Sequence, residues 1–409
     1  MKFFFVITSI LFVTSCSFYN SEIAESFGGS EFDECYDIDL TLQKDIIITG
    51  IFSEEFIYRG KNLLKSKGGY DIFVCKMDTS GKIKWANSVG KKGKDWAYNS
   101  TQDEKGNTYT CGYTKINKHH FPLVFKLDKN GNQLWKKVLT TEGEFTNLIA
   151  TKDNIFITAS NQKNSIYQMS INGELTVLYQ DSSFNGRGIF QNDKNKIIAY
   201  GSSNQQASII CLNKQLQKTH EISFGTKGND IILSFLKKKN HFHICGQIEG
   251  DTLFWKKNTT TQKTPLISKG GKDGFYAILD STFNIVHFEI QTSPKNDWSR
   301  YLAHTPSGEI LMSTIINNEG DINGKPLQNQ KGNFDIALST IKNKKITSTK
   351  LISGNKEEGV NKIVVQDSII YFSGWHQGNL KINENIELND NNKGNAFLIK
   401  TKKNSFFKN

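Results

Sequence analysis

One pattern of strands and turns recurs along almost the whole chain, and it limits the fold more than any other feature. In its clearest copy, a strand at 71–78 leads through a turn at 79–81 to a strand with Trp85 and a last strand at 108–112. The strand typified by "IFVCKMD" recurs at 71–78, 123–128, 165–170, 208–213, 275–280, 334–340 and 396–401. The strand typified by "TYTCG" recurs at 46–50, 108–112, 155–159, 197–201, 242–246, 310–314 and 369–374. Both parts of the pattern therefore occur seven times.

The apolar runs of each copy have the length and composition of β-strands. They are short, rich in β-branched and aromatic residues, and bounded by Asp, Asn or Gly, and no long helical periodicity occurs. Seven repeats of four strands can protect their sheet edges by closing into a ring. We therefore predict an all-β fold over residues 22–409, a seven-bladed β-propeller of four-stranded antiparallel blades. The strands of each blade are labelled A to D from the axis outward.

The best-preserved copy also resembles a known repeat. The stretch from Gly68 to Tyr113 begins GGYDIFVCKMD and ends GNTYTCGY, and the segments GNQLW at 131–135 and GGKDGF at 270–275 match the same pattern in part. This pattern is similar to the seven-bladed β-propeller (SBBP) repeat of Bacteroidetes surface and secreted proteins. The resemblance covers residues 22–401. It implies the propeller fold and says little about function, because one fold supports many functions.

The N-terminus is typical of an export signal. Lys2 precedes an apolar run at 3–13, which is shorter than the ~20 residues of a membrane-spanning helix. Two small residues then precede Cys16, an arrangement that resembles the lipobox of bacterial lipoproteins. The resemblance implies a cleaved signal peptide at 1–15, lipidation of Cys16 and a short tether at 16–21. An ordinary secretory signal with an incidental cysteine is the alternative.

The residues after the cysteine bear on location. In the surface-export signal of Bacteroidetes lipoproteins, acidic residues closely follow the lipidated cysteine, whereas here the first acid is Glu22. This difference favours the periplasmic face of the outer membrane over the cell surface. The sequence therefore predicts the membrane as one partner, bound through lipidated Cys16.

The charge of the chain does not indicate nucleic-acid binding. The formal net charge is +11, but only three of the basic residues are arginines and the lysines are scattered over every segment. Because arginine is the usual residue for phosphate and base recognition, we expect no nucleic-acid partner. Besides Cys16 there are five cysteines, four of them within apolar strands. We expect no complete disulfide framework, although one bridge stays open.

Either terminus could supply the outer strand of the last blade. Residues 22–28 resemble the end of a D strand that leads into a new blade, and the chain has little sequence left after the C strand at 396–401. We therefore predict that the N-terminal strand closes the ring. In the alternative, residues 404–408 form that strand and residues 22–28 are a linker.

The longest connections all join B to C strands, at 52–69, 247–273, 315–333 and 375–395. In a propeller the B-to-C and D-to-A connections share one face, and binding residues concentrate on such loops. Aligning the blades also places Arg187 and Arg300 in the register of Tyr98, at the start of the A strand. The predicted binding face for an anionic or sugar-like ligand has these candidates: Arg59, Trp96, Arg187, Trp255, Trp298, Arg300, Trp375 and His376. In the alternative, the tryptophans pack between blades and the arginines pair with acids such as Asp95.

No catalytic or cofactor motif stands out. The pair His241 and His243 lacks an evident third metal ligand, and the sequences DTSG at 78–81 and DKNG at 128–131 are better explained as turns than as calcium loops. We therefore predict no catalytic residues, metal or cofactor. The expected function is an envelope binding or assembly module for a protein or glycan partner. The alternative is a propeller hydrolase such as a glycosidase, since sialidase-type propellers also use three arginines.

Overall fold

The computed structural model describes residues 22–407 except 162, 164, 193, 194, 258, 259, 385, 391 and 392. These residues form seven antiparallel sheets arranged in a ring, which confirms the predicted seven-bladed β-propeller. The predicted signal peptide, Cys16 and the tether lie outside the described residues. Within the described part of the chain, no helix has the length and apolar character needed to cross a membrane.

The first three blades contain four strands each, in sequence order from the axis outward. Blade 1 consists of β2 (Glu34–Leu40), β3 (Ile46–Tyr58), β4 (Lys61–Met77) and β5 (Ile83–Val89). Blade 2 consists of β6 (Asp95–Gln102), β7 (Thr108–Ile116), β8 (His119–Leu127) and β9 (Gln133–Val138). Blade 3 consists of β10 (Gly143–Ala150), β11 (Asn154–Asn161), β12 (Ser165–Ser170) and β13 (Leu175–Gln180).

Blades 4, 5 and 6 each have six strands, because a hairpin extends the outer edge of the sheet. Blade 4 consists of β14 (Phe184–Gln191), β15 (Ile197–Ser203), β16 (Gln206–Leu212), β17 (Lys218–Gly225) and the hairpin β20 (Thr252–Lys257) and β21 (Thr260–Pro265). Blade 5 consists of β18 (Ile231–Lys238), β19 (His241–Ile248), β22 (Asp273–Leu279), β23 (Ile285–Thr292) and the hairpin β26 (Asp321–Ile322) and β27 (Lys325–Pro326). Blade 6 consists of β24 (Trp298–His304), β25 (Ile310–Asn317), β28 (Phe334–Lys342), β29 (Lys345–Gly354) and the hairpin β32 (Leu380–Lys381) and β33 (Glu387–Leu388).

Blade 7 joins the two ends of the chain. It contains β30 (Glu358–Gln366), β31 (Ile369–His376), β34 (Asn395–Lys402) and, as its outer strand, β1 (Ile23–Phe27). Ile23 pairs with Lys400 and Phe27 pairs with Ala396, so the N-terminal strand closes the ring as predicted. The alternative closure by residues 404–408 is wrong, because the short helix α1 (Lys403–Phe406) follows β34.

Neighbouring blades bury both faces of the middle strands, which explains their nearly continuous apolar sequences. In β4, Phe73 and Cys75 pack toward blade 7, in a cluster with Tyr371 and Leu398. Ile72 and Val74 point the opposite way and pack with Leu123 and Phe125 of blade 2. Because successive side chains point to opposite faces, β4 contributes alternately to the core between blades 7 and 1 and to the core between blades 1 and 2. All five cysteines of the described residues are free and buried in such positions or beside them.

The C-to-D turns have the structure that their sequence predicts. Asp78 accepts hydrogen bonds from the backbone N–H groups of Ser80 at 2.9 Å and Lys82 at 3.0 Å. Gly81 has a φ of +87°, a conformation that glycine adopts at little cost. Asp128 accepts the same two backbone bonds in the next blade. These loops are therefore Asp-stabilised turns.

The long B-to-C connections are mostly not free loops. Three of them fold into the added hairpins, each of which leaves one blade and pairs with the last residues of the D strand in the preceding blade. The pairs are Phe224 with Trp255, Gln291 with Ile322, and Ser353 with Lys381. These insertions therefore lengthen neighbouring sheets, and much of their sequence serves the scaffold.

The first insertion, at 52–69, corrects the predicted position of Arg59. It prolongs β3 and β4 into a hairpin that packs against β1, where Tyr58 stacks on Phe27 with ring centroids 5.2 Å apart. Arg59 forms a salt bridge with Glu25 of β1, and the Tyr58 hydroxyl donates a hydrogen bond to the carbonyl of Gly81. Arg59 therefore lies at the outer edge of the ring, beside a C-to-D turn, and not on the predicted binding face.

Candidate functional site

Each of the seven A strands carries a β-bulge at the same register against its B strand. A bulge adds one residue and re-aims its side chain. All seven extra residues line the cavity on the propeller axis. We call this set the bulge ring: Tyr36, Tyr98, Thr146, Arg187, Leu233, Arg300 and Asn361. The predicted common register of Arg187, Arg300 and Tyr98 is therefore confirmed, and the bulge is its structural cause.

The bulge ring forms part of the wall of an axial channel of about 550 Å³ that all seven A strands line. Next to the bulge ring in the channel wall, the carboxylate of Asp37 contacts Lys362 Nζ at 2.7 Å. It also accepts a hydrogen bond from the backbone N–H of Ser100 at 2.8 Å. Burial lowers the pKa of Lys362, but the charges and hydrogen bonds of Asp37 and Tyr301 together outweigh burial and raise this pKa well above its usual range. The lysine thus stays charged, and Asp37 of the neighbouring blade 1 neutralises it.

A second cavity, which we call the funnel, adjoins the channel and is lined by residues of blades 4, 5 and 6. It has a volume of about 730 Å³ and shares Arg187, Leu233 and Arg300 with the channel, so these three side chains surround the passage between the two cavities. Trp298 and Lys272 line its other side. Uncharged polar side chains of blades 4 and 5 cover much of the rest, and we call them the polar wall: Asn185, Ser202, Asn204, Gln205, Asn229 and Gln247.

Neither arginine at this passage is paired with a carboxylate. Arg300 donates a hydrogen bond of 2.6 Å to Asn361 Oδ1, and Asn361 in turn donates to Glu34 Oε1 at 2.8 Å. Arg187 has no hydrogen-bond or salt-bridge partner among the described residues, and its Nε is buried. Within the described part of the chain neither arginine forms a salt bridge with an acid of the Asp95 type, and Asp95 itself accepts a backbone bond from Lys91 at 2.8 Å.

Trp96 and Trp298 lie at equivalent entries to their A strands but have different surroundings. Trp96 packs among tyrosines of blades 1 and 2, with ring centroids 5.5 Å from Tyr36 and 6.1 Å from Tyr113. Trp298 packs on Phe334, 5.4 Å away, and also borders the funnel. Trp96 is therefore part of an aromatic cluster with Tyr36, whereas Trp298 borders the cavity in which a ligand would bind.

A carboxylate near Arg187 was not among the residues singled out from the sequence. Glu144 Oε2 accepts a hydrogen bond from the Tyr98 hydroxyl at 2.8 Å, and Glu144 Oε1 lies 2.7 Å from His120 Nδ1. Burial, together with the charge of Glu144, raises the pKa of Tyr98 above its usual range, and Arg187 partly opposes this shift. Glu144 lies at the start of the A strand of blade 3, whereas its partner His120 lies on the C strand of blade 2. No local sequence pattern relates these two residues, so the sequence did not reveal the pair.

The three remaining candidates do not reach the funnel. Trp255 lies on the hairpin that pairs with blade 4 and packs against the core of blades 4 and 5. Trp375 packs on Phe32, with ring centroids 6.1 Å apart. His376 is fully buried, donates a hydrogen bond to the carbonyl of Gly378 at 3.0 Å, and lies 3.2 Å from Ser26 Oγ. Burial lowers the pKa of His376, so the neutral imidazole helps hold β1 in place.

The site contains no cluster of metal ligands. Among the described residues, no group of three His, Cys, Asp or Glu side chains is arranged to hold a metal ion. His243 is buried, and its Nδ1 lies 2.6 Å from the Tyr276 hydroxyl. Burial lowers the pKa of His243 to about 3, so this side chain is a neutral member of the core.

Comparisons with known proteins identify the fold. No protein-family model matches the sequence, and no curated protein matches it. One similar solved structure is a crystal structure of a mitotic checkpoint complex, with a TM-score of 0.51 and 8% sequence identity over 97% of this chain and 97% of that chain. At this low identity the similarity shows the propeller fold alone.

Proposed function

We propose that this protein is a lipid-anchored binding module of the bacterial outer membrane, held by acylated Cys16 on the periplasmic face, and that it belongs to the SBBP-repeat propellers of Bacteroidetes. Its partner is a protein or a glycan that enters the funnel. The observation that carries the binding role is the position of Arg187 and Arg300, which lie where the funnel meets the channel and have no salt-bridge partner among the described residues.

Other charged side chains with little exposure form salt bridges within the fold, and this contrast with the two arginines supports a binding role. A charged group in a protein wall loses hydration, and this cost is usually offset by a partner within the fold. Lys362 has Asp37 and Lys76 has Asp45 as such partners. At the passage, Arg187 has no such partner among the described residues and Arg300 has only the neutral amide of Asn361 as a direct one, so an external ligand with anionic or polar oxygens would satisfy them.

One observation favours the hydrolase alternative. The hydrogen bond between Tyr98 and Glu144 next to Arg187 has the residue types of a tyrosine nucleophile and its base. However, Asp37, a carboxylate that lines the same channel, is occupied by Lys362 and Ser100 and is not free to act as an acid or a base. Binding without turnover is therefore the better-supported function. Hydrolysis of a sugar or ester substrate that is lost in Tyr98→Phe would reverse this ranking.

The binding role can be tested by capture from crosslinked outer membranes of the producing cells. We compare the wild type with the double variant Arg187→Gln plus Arg300→Gln and with Lys129→Gln plus Lys214→Gln. The control lysines are exposed on C-to-D turns, far from the funnel, and their replacement removes the same charge. We expect the wild type and the control to retain one set of partners that the arginine variant loses. Identical partners in all three samples would remove the funnel as the binding site.

A further inference from the structure

The passage between the funnel and the channel has the properties of a receptor for one acidic group. The bulges of β14 and β24 aim Arg187 and Arg300 at the same space, and each side chain borders both cavities. Arg187 also borders a third cavity of about 450 Å³ beside Glu144. Arginine offers several N–H donors in a planar fork, a geometry that matches the two oxygens of a carboxylate.

The unsatisfied atoms at the passage call for an acceptor. The Nε of Arg187 is buried and donates to no atom of the described residues, and Arg300 is oriented by the neutral amide of Asn361. A charged group without a partner is costly, so the site gains from a ligand that brings oxygens to the parts of the two guanidinium groups that border the cavities. The amide of Asn361 holds the guanidinium of Arg300 in a fixed direction and also donates to Glu34. Burial raises the pKa of Glu34 and the charge of Arg300 lowers it, so Arg300 has a nearby acid but no direct salt bridge within the described part of the chain.

The surroundings of the passage fit a ligand with many hydroxyl groups. The polar wall presents amide and hydroxyl groups, which both donate and accept hydrogen bonds. Within it, Asn185 Oδ1 is buried and has no donor among the described residues. Trp298 provides an aromatic surface at the opposite side. The volumes of the funnel and the channel, about 730 and 550 Å³, fall within the range typical of small-ligand sites.

We propose that the funnel binds an acidic oligosaccharide, whose carboxylate lies between Arg187 and Arg300 while its hydroxyl groups contact the polar wall and its ring faces Trp298. This inference rests on the proposed binding function and names the chemical class of the ligand. The polar wall favours a sugar over a simple anion, because its amide and hydroxyl groups can pair with the many hydroxyl groups of a sugar.

The test uses the purified full-length chain and a trisaccharide of galacturonic acid, with its fully methyl-esterified form as the matched ligand. The ester keeps the rings and hydroxyl groups but removes the negative charge. By titration calorimetry we expect the wild type to bind the acid at least about tenfold more tightly than the ester. Arg187→Gln plus Arg300→Gln should bind the two ligands equally, and Lys129→Gln plus Lys214→Gln should behave like the wild type.

Further variants separate folding from recognition. Asn185→Leu should weaken binding of both ligands, because it removes the acceptor for a hydroxyl group and leaves both arginines in place. Thermal melting of each variant within a few degrees of the wild type shows that the fold persists. The inference is overturned if the wild type binds acid and ester equally, if it binds neither, or if the arginine variant keeps the preference for the acid.

A sulfated oligosaccharide of the same length distinguishes the acidic groups. If it binds while the galacturonate does not, and the arginine variant loses this binding, the assignment to a carboxylate is wrong. The membrane capture experiment tests the proposed binding function separately from the class of ligand. If purified protein binds no acidic sugar but membrane capture still depends on the two arginines, the binding module stands and the ligand is of another class. If capture is also independent of them, the proposed function fails as well.

Discussion

The Nζ of Lys362 lies 2.7 Å from Oδ1 of Asp37, so an ion pair inside the axial channel joins the A strand of blade 7 to the A strand of blade 1. The Asp37 side chain is almost fully buried, and Lys362 Nζ also lies 4.6 Å from the centroid of the Tyr301 ring of blade 6. One lysine thus contacts the residues of two neighbouring blades at the point where the ring closes.

We predict that Lys362→Met lowers the free energy of unfolding by about 3 kcal/mol, because it leaves the buried carboxylate of Asp37 without its cation. The double variant Asp37→Asn plus Lys362→Met should recover part of this loss. Lys44→Met is the control, since Lys44 and Asp367 form an exposed pair and such pairs contribute less than about 1 kcal/mol. Chemical denaturation measures all three, and equal losses for Lys362→Met and Lys44→Met would contradict the role assigned to the channel pair.

The N-terminal strand should be essential to stability through Phe27. This side chain is fully buried and stacks on Phe56 and Tyr58 of the blade 1 hairpin, with ring centroids 5.8 and 5.2 Å away. We expect Phe27→Ala to cost about 3–5 kcal/mol, the usual range for a buried phenylalanine. Leu42→Ala, at a turn position where the side chain is 82% exposed, should cost little. A melting temperature unchanged by Phe27→Ala would contradict closure by β1.

The C-terminal residues after β34 also contribute to the core. Phe406 is buried in α1 and packs on Phe372, with ring centroids 5.7 Å apart. A deletion of residues 404–409 therefore removes core contacts as well as the chain end, and we expect it to lower stability, although it leaves no strand edge of blade 7 unpaired.

Stability should fall as the pH rises from 6 to 9. Burial raises the pKa of Asp33 to about 8 and that of Asp297 to about 7, from 3.8 in both cases. At a pH between 3.8 and these raised pKa values, the folded protein holds protons that the unfolded chain has released. Each further rise in pH therefore favours unfolding, until the carboxyl groups of the folded protein have also ionised. Thermal melting at several pH values measures the slope, and a melting temperature that rises from pH 6 to pH 9 would contradict it.

Asp297→Asn should flatten that slope by the contribution of one group, at most about 1.4 kcal/mol per pH unit. The asparagine oxygen can still accept the bonds that Ser293 Oγ and the backbone N–H of Asn317 donate to Asp297 Oδ1, at 2.9 and 2.8 Å. Asp128→Asn serves as the matched control, because hydrogen bonds from Asn132 lower the pKa of this exposed turn residue. If both variants keep the slope of the wild type, Asp297 is not one of its sources.

The lipid anchor is tested by Cys16→Ala. We expect this variant to lose labelling by radioactive palmitate and to leave the membrane fraction, because acyl chains on the cysteine would supply the affinity for the bilayer. Cys35→Ala is the control, since Cys35 is buried in blade 1 and cannot be acylated in the folded protein. Palmitate labelling that persists in Cys16→Ala would rule out the assignment.

Much of the architecture was predictable because it depends on local chemistry. The alternation around Phe73 and Val74 predicts a strand buried on both faces, and the Asp78-to-Gly81 sequence predicts a tight turn, since each rule operates over a few neighbouring residues. Repetition then provided the number of blades. Even the common register of Arg187, Arg300 and Tyr98 followed from aligning the repeats, because equivalent residues in a repeat have equivalent positions.

The functional surface depended on contacts between distant residues. The sequence alone could not show that the insertion with Trp255 pairs with Phe224, that Arg59 folds away to Glu25, or that Glu144 meets Tyr98 and His120. Sequence alone therefore determined the strands, the turns and their sevenfold repetition, for which each residue needs only its neighbours in the chain. Only the tertiary structure decided which charges are neutralised and which remain open to a ligand, because that depends on which blades meet around the axis.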